Sequence, residues 1–207
     1  MSHSLTEQKQ LLRTRVLATR DRLSENEIAA KSAAICRKLL STPEVQQSGT
    51  IFCYVSFKSE VITHDLIRSL LKSGKKVAVP AVDQTTRTMS AVIITDFDRD
   101  LQPGTMGILE PLCTPLHRTA PEQIDLTITP GAAFSRAGWR IGYGGGFYDR
   151  FLGKTPTEAL TLALAYDLQI LPQIPHNPDY DIPMRIILTE SRTINCAKQC
   201  APKSLTY

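Results

Sequence analysis

The chain lacks several features that would have pointed to particular classes of protein. No uninterrupted apolar run in its 207 residues approaches bilayer length, so a membrane-spanning helix is not expected. The opening Met1-Ser2-His3-Ser4-Leu5-Thr6-Glu7-Gln8-Lys9 contains no apolar signal core and reads as mature cytoplasmic sequence. Five cysteines (Cys36, Cys53, Cys113, Cys196, Cys200) are odd in number, scattered and without a CxxC pair. They suit reduced thiols in a reducing compartment rather than a disulfide framework or a zinc site. The histidines, His3, His64, His117 and His176, fall at no metal-ligand spacing. Charge of one sign hardly accumulates: a net +4 suits an acidic small molecule and lacks the dense basic patch expected of a nucleic-acid binder. Repeats and low-complexity tracts are absent. What remains is an ordinary globular composition, 42% hydrophobic and 21% charged, consistent with a single domain over 1–207.

Two familiar phosphate motifs are missing as well. Gly153-Lys154-Thr155 could end a Walker loop, but the glycine required five positions before Gly153 is Tyr148. Gly142 and Gly144 could begin a GxGxxG fingerprint, but its third glycine position holds Phe147, and the segment comes late in the chain.

The most informative stretch runs from Pro130-Gly131 through Arg140-Ile141-Gly142-Tyr143-Gly144-Gly145-Gly146-Phe147-Tyr148-Asp149. Glycines let backbone N–H groups wrap an anion and accept positive φ without steric cost. Arg140 offers a planar charged fork for phosphate oxygens, and Asp149 a hard oxygen of the kind Mg²⁺ prefers. A glycine-rich surface turn is the bland alternative. Phe147, Tyr148, Phe151 and Leu152, however, predict that the loop feeds a helix, and helix N-termini attract anions.

Elsewhere, apolar spacing predicts a helix from about Thr6 to Arg22. Ser24 with Glu27 is a capping-box signature for a second helix, which Pro43 is expected to end. Strands are expected over Thr50–Val55, Lys75–Val79 (stopped by Pro80), Met89–Thr95, Leu126–Thr129, Leu160–Ala165 and Arg185–Thr189. Thr63 should cap a helix through Leu71, and Phe147–Leu152 should form a short one. Pro103–Gln123 is expected to be an irregular connection. The alternation predicts an α/β layered fold whose central, largely parallel sheet is flanked by helices. Lys9 and Arg13, four residues apart, share one face of the first helix and could supply further cations to a nucleotide; a solvated basic face is the alternative.

With these residues in view, the chain resembles the 5-formyltetrahydrofolate cyclo-ligase (5,10-methenyltetrahydrofolate synthetase) family over nearly its whole length. The resemblance is carried in order by Lys9-x-x-Leu12-Arg13, Glu60-Val61-x-Thr63, Gly107-Ile108-x-Glu110-Pro111, the long glycine motif, Ala165-Tyr166-x-x-Gln169 and Asp181-Ile182-Pro183. It implies ATP- and Mg²⁺-dependent cyclisation of 5-formyltetrahydrofolate to 5,10-methenyltetrahydrofolate, with release of ADP and phosphate. The implied partners are ATP and a reduced folate, polyglutamylated or not, with no nucleic acid or membrane partner, acting on a cytoplasmic monomer.

By the same resemblance, ATP is held by Lys9, Arg13, Arg140, Ile141, Gly142, Tyr143, Gly144, Gly145, Gly146, Phe147 and Tyr148. Arg13 and Arg140 act in catalysis, Val55, Glu60 and Tyr148 meet the folate, and Asp149 holds Mg²⁺. Two departures stand out: Gly145 where some members carry lysine, and Arg185 where many carry a second aspartate four residues after Asp181. Competing readings are a nucleotide sensor without turnover and an ATP-dependent enzyme acting on another N-acyl or pterin substrate. The sensor would need no folate pocket and so gives no reason for Glu60 and Val55, and the order of the motifs favours the cyclo-ligase over both.

Overall fold

The computed structural model describes residues 4–104, 107–112 and 117–196; the parts of the sequence reading that fall on Cys113 and Cys200 lie outside these. The chain begins with two helices, α1 (Leu5–Arg20) and α2 (Glu25–Leu40). Both open on serine capping boxes: Ser4 and Ser24 accept from the N–H of Glu7 and Glu27, whose carboxylates accept from the serine N–H groups in return. α2 ends before Pro43, which starts rather than stops a helix: it occupies the first turn of α3 (Pro43–Gln47), where its missing N–H costs nothing.

The central sheet contains, in chain order, β1 (Thr50–Cys53), β2 (Lys76–Asp83), β3 (Thr88–Ile94), β6 (Arg118–Thr119), β7 (Leu126–Thr129), β10 (Leu160–Leu164), β12 (Ile186–Leu188) and β13 (Thr193–Asn195). Their spatial order is β13-β12-β10-β7-β1-β2-β3-β6. The five central strands from β12 to β2 run parallel, and antiparallel strands complete both edges. A small sheet of β8 (Ala133–Ser135), β9 (Arg140–Ile141) and β11 (Ile170–Leu171) and a β4 (Leu101–Pro103)–β5 (Leu109–Pro111) pair lie outside it. The helices α4 (His64–Lys72), α5 (Phe97–Asp100) and α6 (Phe147–Leu152) complete the set used below.

The period of two along each strand divides the core. Ile51 and Cys53, Val77 and Val79, and Leu162 and Leu164 pack with Ile35 and Leu39 of α2 and Leu66, Ile67 and Leu70 of α4. The intervening Phe52 and Ala78 face Phe151 of α6, with the Phe52 and Phe151 rings stacked at 4.5 Å. This alternation is what a parallel sheet covered on both faces requires.

The structure corrects three expectations. β2 continues through Pro80 to Asp83, because its pairing with β1 ends at Ala78 and Pro80 lies beyond it, paired only with β3, where the missing N–H breaks no ladder with β1. Thr63 makes no side-chain cap; its hydroxyl donates to Tyr54 O at 2.8 Å and accepts from Ser56 N at 3.0 Å, clipping the turn after β1. Within Pro103–Gln123, β5 and β6 are strands of only three and two residues, too short to show a periodicity in the sequence.

Candidate functional site

A cleft of about 780 Å³ opens beyond the C-terminal ends of β1 and β7, where open parallel sheets bind ligands. Tyr54 and Val55 follow β1 into it and Pro130 follows β7. It gathers Lys9, Arg13, Val55, Glu60, Arg140, Ile141, Gly142, Tyr143, Gly144, Gly145, Gly146, Phe147, Tyr148 and Asp149, every position expected from sequence.

The phosphate-like side is built on the β8–β9 hairpin and the loop after it. Phe134 pairs with Arg140 across the hairpin, and Gln169 Nε2 donates to Gly131 O (2.8 Å) and Ala132 O (3.1 Å), holding the turn that leads into β8. The Gln169 of the Ala165-Tyr166-x-x-Gln169 motif is therefore a brace for this hairpin. Gly144 and Gly146 take φ of 102° and 66°, which exclude most side chains, and Gly146 caps α6. Arg140 is 5% exposed; it pairs with Asp149 at 2.9 Å, and its Nε is buried with no partner. A guanidinium with an unused donor inside a cleft is suited to an incoming anion.

Helix α1 presents a polar stripe to this loop. Lys9 pairs with Asp181, and Arg13 Nε donates to Gly142 O at 2.7 Å. Partial burial lowers the Arg13 pKa from its ordinary value. Asp181 also accepts from Asn177 N at 2.6 Å, so it is both a loop brace and part of the cleft wall. Arg185 points away: its guanidinium donates to Thr157 O and stays out of the cleft.

The opposite wall centres on Glu60, which is 9% exposed. Its Oε2 accepts from Phe57 N at 2.9 Å and its Oε1 accepts from the Tyr143 hydroxyl. Burial raises the Glu60 pKa, against the opposing effects of the Tyr143 and Phe57 hydrogen bonds and the charge of Arg20. The Tyr148 phenol is pushed well up by burial and then by Glu60, and its ring lies 5.4 Å below the Arg140 guanidinium. That ring also meets Phe52 edge-on at 6.3 Å, so Tyr148 packs against the core and lines the cleft at once.

Sequence reasoning did not assign Arg20, Val82 or Met89 to the site. The signal for Arg20 was present, since it follows Lys9 and Arg13 by 11 and 7 residues along α1 and so shares their face. Val82 and Met89 reach the cleft because β2 runs past Pro80 into its hairpin with β3.

Among the described residues no cluster of three or more His, Cys, Asp or Glu side chains could hold a metal by itself. Asp149 and Asp181 nonetheless offer carboxylate oxygens in the cleft, as suits Mg²⁺ carried by one or two carboxylates and substrate phosphates. No helix among the described residues is long and apolar enough to cross a membrane.

Known proteins similar in sequence to this chain fall in one family. The sequence profile of the 5-formyltetrahydrofolate cyclo-ligase family matches residues 5–190. The 5-formyltetrahydrofolate cyclo-ligase of Haemophilus influenzae is 29% identical over 88% of this chain and 98% of its own length. The mitochondrial 5-formyltetrahydrofolate cyclo-ligase of Arabidopsis thaliana is 31% identical, over 92% of this chain and 77% of its own. The structure of 5,10-methenyltetrahydrofolate synthetase from Aquifex aeolicus superimposes with a TM-score of 0.81, at 31% identity and 96% coverage of both chains.

Proposed function

The chain belongs to the 5-formyltetrahydrofolate cyclo-ligase family, and from that premise we propose how its cleft performs the ring closure. The enzyme is an ATP-dependent 5-formyltetrahydrofolate cyclo-ligase of folate metabolism. The observation that carries the site assignment is the meeting, in one cleft, of the α1 cations, the glycine loop and the buried carboxylate of Glu60.

An N-formyl oxygen is a poor leaving group, so it must be activated before the ring can close. The formyl oxygen attacks the terminal phosphorus of ATP and the bond to ADP breaks. The N10 lone pair then attacks the formyl carbon, phosphate leaves with the former formyl oxygen, and N10 gives up its proton. Catalysis of this kind is alignment and charge neutralisation.

Lys9, Arg13 and Arg140 are assigned to the phosphates, with Arg13 and Arg140 nearest the transferring group. The backbone from Ile141 to Tyr148 wraps the rest. Lys9 and Arg140 are paired to Asp181 and Asp149 in this structure. On nucleotide binding these cations turn to phosphate oxygens and release the carboxylates. Asp149 fits Mg²⁺ as a hard oxygen ligand, with Asp181 near enough to the same wall to assist; the ion supplies further neutralisation of the phosphates. Val55, Glu60 and Tyr148 form the folate wall, Glu60 accepting from N–H donors of the pterin ring. Because α1, the strand ends and the Asp181 segment all contribute to the cleft, the chain is read as one functional domain. Cys36 and Cys53, whose thiols form no disulfide, support a reducing, cytoplasmic setting.

The test is absorbance of the purified protein mixed with 5-formyltetrahydrofolate, ATP and Mg²⁺. Growth of the methenyl chromophore only when ATP is present is expected. Nucleotide binding without any such growth would sink the assignment.

A further inference from the structure

A second polar constellation joins the glycine loop to the folate wall, and Arg20 is at its head. Arg20 is 4% exposed on the last turn of α1. Its NH1 donates to the Tyr143 hydroxyl at 3.0 Å and its Nε to Ser59 Oγ at 3.0 Å. The Tyr143 hydroxyl in turn donates to Glu60 Oε1, and the Ser59 hydroxyl to Asp21 Oδ1.

Hydrogen-bond chemistry fixes the direction of both branches. A guanidinium only donates, so each hydroxyl facing Arg20 must accept from it. Each hydroxyl has a single hydrogen, which is then committed to the carboxylate beyond. Arg20 therefore dictates that Tyr143 donates to Glu60 and cannot turn its hydrogen elsewhere. The Phe57 N–H engages the other carboxylate oxygen at 2.9 Å, and the Tyr166 hydroxyl donates to the Glu60 carbonyl at 3.0 Å. Glu60 is thus held in one orientation, with each carboxylate oxygen keeping a lone pair for a ligand.

We infer that Arg20 is a positioning residue for folate recognition, acting on Glu60 through the Tyr143 hydroxyl, so that Tyr143 serves the folate wall although it stands in the glycine loop. The inference rests on the assignment of Glu60 to the folate. It separates two roles within one loop: its glycines and backbone serve the nucleotide, while its tyrosine reaches across the cleft.

The charges around Glu60 agree with this arrangement. The groups facing it are Arg20 from α1, Tyr143 from the glycine loop, Tyr148 from α6, Tyr54 after β1 and Tyr166 after β10. Burial pushes all four phenols upward and keeps them neutral, so Arg20 supplies the positive charge that opposes the effect of burial on Glu60.

The experiment measures 5-formyltetrahydrofolate affinity by calorimetry across acidic to neutral pH, without ATP. The proteins are the parent, Tyr143→Phe, Arg20→Gln, Arg20→Lys and Glu60→Gln, with circular dichroism and ATP KM followed in parallel. Tyr143→Phe and Arg20→Gln are each expected to weaken folate binding about tenfold, the scale of one hydrogen bond to a charged group. Both should move the acidic loss of affinity to higher pH and weaken folate binding by a larger factor than they raise ATP KM, and Arg20→Lys should recover part of the loss. Parent-like affinity and pH midpoint in folded Tyr143→Phe or Arg20→Gln, or a defect confined to ATP KM, would overturn the inference. Should Arg20→Gln fail to fold, Tyr143→Phe decides, because it deletes one hydroxyl from a half-exposed residue. Unchanged affinity in Glu60→Gln would instead bring down the folate assignment of Glu60, and the inference with it.

Discussion

Arg13 and Glu60 hold opposite walls of the cleft, and their surroundings predict opposite consequences of removal. The Arg13 side chain is half-buried against Gly142 O and contributes little to the apolar core, so Arg13→Ala should leave the melting temperature within a few degrees of the parent. Its loss should reduce kcat by roughly 10²–10³-fold, as removal of a single donor to a transition-state oxyanion does elsewhere. Steady-state kinetics beside a thermal melt checks both halves. Glu60 makes a prediction about stability instead. Its folded pKa is raised, so between the ordinary carboxylate value and the raised one the folded state holds more protons than the unfolded state. Stability contributed there falls as pH rises through that window. Urea unfolding of Glu60→Gln should lose this part of the slope; an identical pH profile would contradict the burial effect. The first two α1 cations were legible because four-residue spacing is a local signal. Arg20 shares their face, but its role was not legible, since that role lies in Tyr143, 123 residues away.

At the scale of elements, the hairpin that carries Arg140 depends on a turn only glycine can make. Gly138 has φ of 94°, and a Cβ there would lie 2.2 Å from Met184 O, a backbone atom that cannot swing aside. Gly138→Ala should therefore destabilise by about 3 kcal/mol, combining a strained φ with overpacking, and chemical denaturation would measure it. Gly144 offers the contrast. Its φ of 102° is equally unfavourable for alanine, yet the nearest atoms to an added Cβ are the Arg13 guanidinium at 3.6 Å, an ordinary contact. Gly144→Ala should cost less stability and appear chiefly as a raised KM for ATP, because the strain is released by reshaping the phosphate loop. Boundaries of the capped helices were readable at this scale, and so was the glycine loop feeding α6. The passage of β2 through Pro80 was not, because whether a proline breaks a strand depends on which neighbour is still paired there, and that is a property of the assembled sheet.

Over the whole molecule, the site is assembled from segments that sequence order keeps apart: Lys9 meets Asp181 across 172 residues and Arg13 meets Gly142 across 129. The parallel sheet was legible as alternating strands and helices, but no local pattern states that β1 lies between β7 and β2, or that α1 closes over the loop after β9. This assembly also sets how the protein responds to ligand. Of α1, only Val16 and Arg20 are buried; beside a small apolar contact of Leu12 and Val16 with Ala133, Ile141 and Ile174, its docking rests on Lys9–Asp181, Arg13–Gly142 and Arg20 with Ser59 and Tyr143. A helix held mainly by polar contacts, with little apolar burial, belongs to the less stable end of a structure's local unfolding energies. Nucleotide phosphates placed between Lys9, Arg13 and Arg140 would tie α1 to the β8–β9 hairpin more firmly than the present ion pairs do. Hydrogen exchange should therefore slow across α1 and residues 142–149 when ATP and Mg²⁺ are added, while β7 and β10, buried at the centre of the sheet, remain unchanged. The same slowing should fail in Arg13→Ala despite its intact fold. Protection of α1 by nucleotide in that variant, equal to the parent's, would mean that the helix is held by the core alone and that its cations do not bridge to the phosphates.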